Sequence, residues 1–388
     1  MIELRGLTWG HTRGFAPLAA LGRVWEDFHP EERIAWTARS LWSFGEEPLE
    51  LFLREYDLLV FDYPFAGEAL ERGWVVPLED LLDAGVLAAR AAGTIGPLHE
   101  AFRHGGRQAA LALDAATHCA AARPDLLARH GLPVPVHWDA VLRLARRGVV
   151  AMPLRPTGVW GGWLSLCANR GAPAFARADA PAFNEAVAAE ALQALTELAR
   201  HVPAWCRDAY PVALLNRMAS TDEIAFVPLT YGYSTYGLRG YARHRIAFHP
   251  LPGGAGHGRG AILGGAGIGV SLHSRHQALA ARHAAWLTSD EVQSGLYATF
   301  GGQPAARAAW SAQQHDIATL GFFSALRESA EHPYVRPNAP GFHEMQNHAS
   351  RRLHRAVWDD EPPLPALREV AAAWAATQDA AGGATTWN

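Results

Sequence analysis

Strand and helix signals alternate through the first third of the chain, and that alternation points to βαβ units around a mainly parallel sheet. Residues 4–9 read as a first strand. Residues 15–28 follow with Leu18, Leu21, Val24, Trp25 and Phe28 at helical spacing, and the pattern stops at His29-Pro30. Residues 33–38 read as a second strand and 47–55 as a second helix. Residues 57–61, Asp-Leu-Leu-Val-Phe, form an apolar run suited to a parallel strand buried on both faces. Asp62 and Tyr63 come directly after it.

Further strands are expected at 111–114, 149–154 and 220–227. A helix is expected at 181–201, an aromatic-rich turn and helix start at 157–166, and helices after Pro304. The last residues, from Ala380, read as a frayed tail. A chain of 388 residues that is 49% hydrophobic exceeds one ordinary core and suits two lobes. No internal repeat is visible.

Several function classes drop out on composition. The net charge is −4 and no basic stripe runs along any segment, so nucleic acid is not an expected partner. No run of 18 apolar residues exists to form a membrane-spanning helix. All 34 basic residues are Arg, so neither a Schiff-base Lys nor a phosphate-loop Lys is available. Cys119, Cys167 and Cys206 are odd in number and lack zinc spacing, so they read as buried thiols. His244, His249 and His257 read as scattered surface residues rather than a metal site. There is no GxSxG elbow, no HExxH and no GxGxxG, so no catalytic residue, metal or cofactor is expected.

The segment from Leu251 to Pro304 carries a more specific pattern. It holds Leu251-Pro252-Gly253, then Gly264-Gly265-Ala266-Gly267, then an Ala-rich helix with Trp286-Leu287-Thr288-Ser289 and Gln293, then a turn at Gly301 to Pro304. Earlier, residues 73–82 read GWVVPLEDLL, and Gly131 to Asp139 leads into a helix with His137 where Thr is usual. Later come Arg336-Pro337 and Ala339-Pro340-Gly341-Phe342. In this order the pieces resemble the family 1 extracellular solute-binding proteins of bacterial ABC transporters, the maltose-binding-protein-like, type 2 periplasmic binding proteins.

That resemblance implies an α/β fold of two discontinuous lobes, joined by hinge crossovers near Leu113, Gly264 and Gly302, with a ligand cleft between them. Lobe 1 would take 1–113 and 264–302, and lobe 2 would take 114–263 and 303–388. It implies a monomeric receptor, not an enzyme, that captures a small ligand by hinge closure and delivers it to a membrane permease. Periplasmic location follows from the resemblance. The start of the chain reads directly as a strand without a secretory signal, which keeps a cytoplasmic sensor or enzyme on the same fold as the alternative.

Ligands of open α/β sheets bind beyond the carboxyl ends of strands. The residues expected there are Trp9, His11, Arg39, Asp62, Tyr63, Asp114, Thr117, Trp160, Tyr231, Tyr233, Gly265 and Ala266. Aromatic faces with carboxylates suit a carbohydrate or polyol, whose C–H faces are apolar and whose hydroxyls donate. Arg13 and Arg39 suit a small organic acid as the second choice, because a guanidinium grips a carboxylate with two parallel bonds. The same residues also have plainer readings. Trp9 and Trp160 can be core packing, Asp62 and Asp114 can cap helices, and the glycines can serve a crossover.

Overall fold

A computed structural model describes residues 1–47, 49–177, 180–253 and 258–380. The frayed tail expected from Ala380 lies, beyond that residue, outside them. The principal strands are β1 (Ile2–Trp9), β2 (Glu32–Arg39), β3 (Leu58–Asp62), β4 (Leu111–Ala122), β5 (Phe226–Tyr231), β6 (Ala247–His249) and β7 (Leu263–Val270). The longer helices are α1 (Thr12–Phe28), α2 (Pro156–Asn169), α3 (Glu185–Ala199), α4 (Gln277–Leu287), α5 (Phe342–Trp358) and α6 (Pro363–Ala380).

The chain forms two compact units. Unit 1 takes Met1–Ala116, Gly264–Asp316 and Asn338–Pro340; unit 2 takes Thr117–Leu263, Ile317–Pro337 and Gly341–Asn388. The chain therefore changes units inside β4 and again at the start of β7. Residues 303–316, which the sequence reading gave to the second lobe, belong with unit 1. Ala305 N–H donates there to Gln293 Oε1 at 2.8 Å, and Trp310 Nε1 donates to Pro304 O at 2.8 Å.

In unit 1, β1 pairs in parallel with β2 along its whole length, from Ile2 opposite Glu32 to Trp9 opposite Arg39. β3 lies parallel on the other side of β1. β7 then pairs antiparallel with β3, Asp62 opposite Ala266 and Leu58 opposite Val270. The pairing is mixed rather than mainly parallel. β7 arrives only after the chain has built unit 2. The core between this sheet and its helices is made by Leu4, Leu18, Leu21, Trp25, Val60 and Ile268, with Ala280, Ala284 and Leu287 of α4. Each fully buried large side chain stabilises by about 1.5–3 kcal/mol.

Every residue of β4 is buried, and its second half, in unit 2, pairs antiparallel with β5 and β6. Ten of the fourteen residues of α2 are buried, beneath α3 and α5. Trp160 stacks on Phe175 at 5.6 Å, and Trp163, Phe183, Phe342 and Trp374 complete an aromatic cluster. Arg123 is also fully buried; its guanidinium donates to Met218 O and Thr221 O and forks onto Asp125.

Several expected elements shift. The helix expected at 47–55 is Leu41–Glu46, capped by Ser40 Oγ accepting from Ser43 N–H, followed by a 3-10 turn at Leu49–Phe52. Ser40 provides the N-terminal signal that Glu47 lacks. The strand expected at 149–154 keeps only a bridge, Val150 to Phe226. The strand expected at 220–227 begins at Phe226 and runs through Pro228 to Tyr231. Proline has no N–H for a ladder, and the β4–β5 register shifts between Cys119 and Ala121 where Pro228 passes.

His283 of α4 is fully buried, and neither ring nitrogen has a partner among the described residues. Trp25 meets it edge-on at 4.8 Å. Burial, with His29 nearby, pushes its pKa down from 6.5 to about 3. The unfolded chain takes up a proton below pH 6.5 that the fold accepts only near pH 3. This contribution to stability is present above pH 6.5 and is lost as pH falls toward 3, with a limiting slope of about 1.4 kcal/mol per pH unit. Thermal melts should show Tm falling from pH 7 to pH 5, and His283→Phe should flatten part of that fall. A pH dependence identical in the variant contradicts this assignment.

Candidate functional site

The strand ends of unit 1 gather most of the expected residues. Asp62 closes β3 and lies opposite Ala266. It precedes the turn Tyr63–Phe65 but makes no capping hydrogen bond with its side chain. The capping explanation for this carboxylate is therefore not realised. Arg39 closes β2 and is 7% exposed. Its guanidinium donates to Ser43 O at 3.2 Å and reaches Phe44 O at 3.5 Å, with the Phe44 and Phe52 rings each 5.1 Å from its centre. Burial lowers its pKa to about 10, opposed by the charges of Asp62 and Glu47.

Asp114 sits in the first half of β4, 1% exposed. Arg13, in the first turn of α1, grips it with two bonds, Nε to Oδ2 at 2.9 Å and Nη2 to Oδ1. Burial pushes the Asp114 carboxyl up and Arg13 pulls it down. Asp114 does not cap a helix, because β4 continues eight residues beyond it. Tyr297 lies close enough to feel this charge; it is fully buried and its hydroxyl has no partner among the described residues. His11 caps α1, its Nδ1 accepting from Arg13 N–H at 3.0 Å. Burial and then Arg13 hold its pKa near 3, so the ring is neutral.

Trp9 is a core residue. Its ring lies 5.2 Å from Phe44 and covers Gly14, where a Cβ would stand 2.2 Å from the indole. Tyr63 is fully buried against Phe102. Gly265 has φ +115°, and a Cβ there would meet Asp114 O at 2.3 Å, so only glycine allows β7 to approach β4 so closely. Ala266 is buried beside it.

Unit 2 holds the other four. Thr117 O accepts from Gly232 N–H, and its buried hydroxyl has no partner among the described residues. Tyr231 ends β5 and is half-buried, its ring 4.5 Å from His118. Tyr233 is 8% exposed and packs on Tyr236. Trp160 is in the aromatic core; its indole N–H donates to Gln346 Oε1 at 3.1 Å, and Arg336 Nη1 donates to the same oxygen at 3.0 Å. Sequence reasoning did not single out His118, Gln346 or Tyr297, and it set Ser165 aside as lacking the context of a nucleophile. No local pattern marks them, because their partners are distant in the chain.

The described residues contain no group of three or more His, Cys, Asp or Glu placed to hold a metal. His244 lies near Asp125 and Asp222, and His257 lies outside the described residues. All three cysteines are buried thiols, with burial pushing Cys167 to about 12 and Cys206 to about 11. A groove of about 550 Å³ in unit 2 runs between Trp138, Glu190, Glu197, Arg200 and Asp360. None of the expected residues line it, and Arg200 is paired there with Glu197 and Asp360.

The family model described as bacterial extracellular solute-binding protein matches residues 54–317. The chain belongs to that family and is a solute-binding protein. No curated protein matches it by sequence. Among solved structures it is similar to maltose-bound MalE3 of T. maritima, with 18% identity, TM-score 0.81, and coverage of 96% of this chain and 99% of that one. It is similar to an ABC transporter solute-binding protein from Thermotoga lettingae bound with α-D-tagatose, with 16% identity, TM-score 0.82, and coverage of 97% and 100%. A third is the Agrobacterium vitis solute-binding protein with D-mannitol, with 14% identity, TM-score 0.75, and coverage of 98% and 99%. The fold is the periplasmic-binding-protein α/β fold.

Removing Arg13 strands a buried carboxylate. Arg13→Met should cost about 3–5 kcal/mol in urea unfolding, whereas the apolar double variant Arg13→Met/Asp114→Leu should recover most of that loss. A double variant no more stable than the single one would show that the pair is not the source of the effect.

Proposed function

We propose that this protein captures a neutral sugar or polyol and presents it to the membrane permease of an ABC transporter. Family membership supports a small-molecule ligand, and the similar structures named above hold maltose, tagatose and mannitol. The observation that favours a neutral ligand over an organic acid is the engagement of the two expected arginines. Arg13 forks onto Asp114, and Arg39 is held by two carbonyls and two aromatic rings. A ligand carboxylate would have to displace those partners, while Asp62, which closes β3 and makes no capping bond with its side chain, suits hydroxyl donors.

In this reading Asp62 and His11 are the candidate ligand contacts of unit 1, and Thr117, Tyr231 and Tyr233 are those of unit 2, while Asp114 anchors Arg13. The Arg39 charge lies close enough to Asp62 for the two to interact. Tyr63, Trp9, Trp160, Gly265 and Ala266 support the site through packing and close backbone approach. Hinge bending captures the solute. The protein works as a monomer outside the cytoplasmic membrane and carries out no reaction.

A thermal-shift panel of maltose, D-mannitol, ribitol and D-tagatose against citrate and malate tests the ligand class. A ligand at 100 times its Kd adds about 2.7 kcal/mol, so a neutral compound should raise Tm by a few degrees. A rise with the acids alone would refute the neutral class. Asp62→Asn should weaken binding of the responding compound by about 1–3 kcal/mol; unchanged affinity would remove Asp62 from the site.

A further inference from the structure

Unit 2 contains a polar relay that the sheet and helix ladders do not need. Ile262 N–H donates to Ser165 Oγ at 3.0 Å, and Ser165 Oγ lies 3.0 Å from His118 Nδ1. Ser165 is fully buried and His118 is 5% exposed. The serine oxygen already accepts from Ile262, so its own O–H needs an acceptor. Among the described residues, His118 Nδ1 is the acceptor within reach. Nδ1 is then unprotonated, and the ring proton sits on Nε2.

The ring is held on several sides. Its Cε1–Nε2 edge lies over Gly161, where a Cβ would stand 2.7 Å from Cε1. Tyr231 meets it at 4.5 Å with an interplanar angle of 63°. The Nε2 has no hydrogen-bond partner among the described residues. Burial, and secondly the Arg336 charge, keep the imidazole neutral, with a pKa near 3. Arg336 is the charged group that faces it. His118 therefore offers one fixed N–H donor without a positive charge, beside the strand-end Tyr231.

We propose that His118 is a specificity-determining residue of unit 2, its Nε2–H donating to a hydroxyl or ether oxygen of a neutral sugar or polyol, with Ser165 as the positioning residue that fixes the donor. The proposal rests on the sugar or polyol reading above. Gly161 is small so that this ring can seat, and Ile262 N–H sets the direction of the relay. A carboxylate at the same place would draw a proton onto the ring, and its binding would then take up a proton from solution.

Two measurements on the full chain test this. Long-range proton–nitrogen NMR on ¹⁵N-histidine-labelled, ligand-free protein at pH 7 should show His118 as the Nε2–H tautomer, with its signals assigned by their loss in His118→Gln. Ser165→Ala should mix the tautomers. A cationic or Nδ1–H His118 in the wild type overturns the proposal whatever binds. Calorimetric titration with maltose, D-mannitol, ribitol and D-tagatose supplies the second test. For whichever binds the wild type, His118→Phe should raise Kd tenfold or more, and His118→Gln, which keeps an N–H donor, should stay within about threefold. Binding should release or take up no proton when compared across buffers. Unchanged affinity in a folded His118→Phe, or in a folded His118→Ala should the Phe variant fail to fold, overturns the His118 role while leaving the sugar reading standing. If none of the four binds the wild type, the sugar reading fails and the ligand assignment of His118 falls with it; the tautomer then reports only on the relay.

Discussion

The buried ion pair between Arg13 and Asp114 is the constraint around which unit 1 is arranged. Neither group can remain charged in the interior without the other. The pair fixes the first turn of α1 against the first half of β4. The same stretch receives β7, whose Gly265 passes within contact of Asp114 O. It also receives the segment after Gly302, because Ala115 N–H donates to Gln303 O and Gln303 Nε2 donates to Ala115 O at 2.6 Å. Three distant parts of the chain thus meet at Asp114 and Ala115. Glycine at 265 and the amide of Gln303 are what allow that meeting without unpaired backbone groups.

Unit 2 solves a different problem. Its central helix α2 is buried on nearly all sides, so its polar atoms must find partners inside. Trp160 finds Gln346, Trp163 finds Ala188 O, and Ser165 stands between Ile262 and His118. Buried imidazoles recur throughout: His11, His99, His118 and His283 are all held neutral by burial. Such rings act as hydrogen-bonding or packing groups rather than as charges. In a site built for neutral hydroxyls, fixed dipoles discriminate by direction and do not attract unwanted anions.

The elements legible in the sequence were those set by local pattern. The alternation of strand and helix located β1, α1, β2 and β3 within a few residues, and the Gly-rich run at 264–267 fell on β7. The order of short motifs carried the family. The elements misplaced were those decided by tertiary pairing. The strand expected at 220–227 stops short of Pro228, but β5 runs through it, with Pro228 and Leu229 standing against Ala120 at a shift in the register. Residues 149–154 look like a strand but make only one bridge, Val150 to Phe226 at the start of β5. Among the candidate residues, Asp62 and Tyr231 are at strand ends as read. Trp9 and Trp160 serve the cores, and no sequence spacing could have separated those roles. Arg13 and Asp114 are 101 residues apart, and Trp160 and Gln346 are 186 apart; pairs like these become visible only when the chain is folded.

The central claim is that the solute is small, neutral and rich in hydroxyls. Native mass spectrometry of the protein incubated with an equimolar mixture of maltose, D-mannitol, ribitol, D-tagatose and citrate tests it most directly. The account predicts a single 1:1 adduct with the mass of one of the four neutral compounds, persisting when citrate is in excess. An adduct with citrate alone, or a bare protein in every mixture, would contradict it.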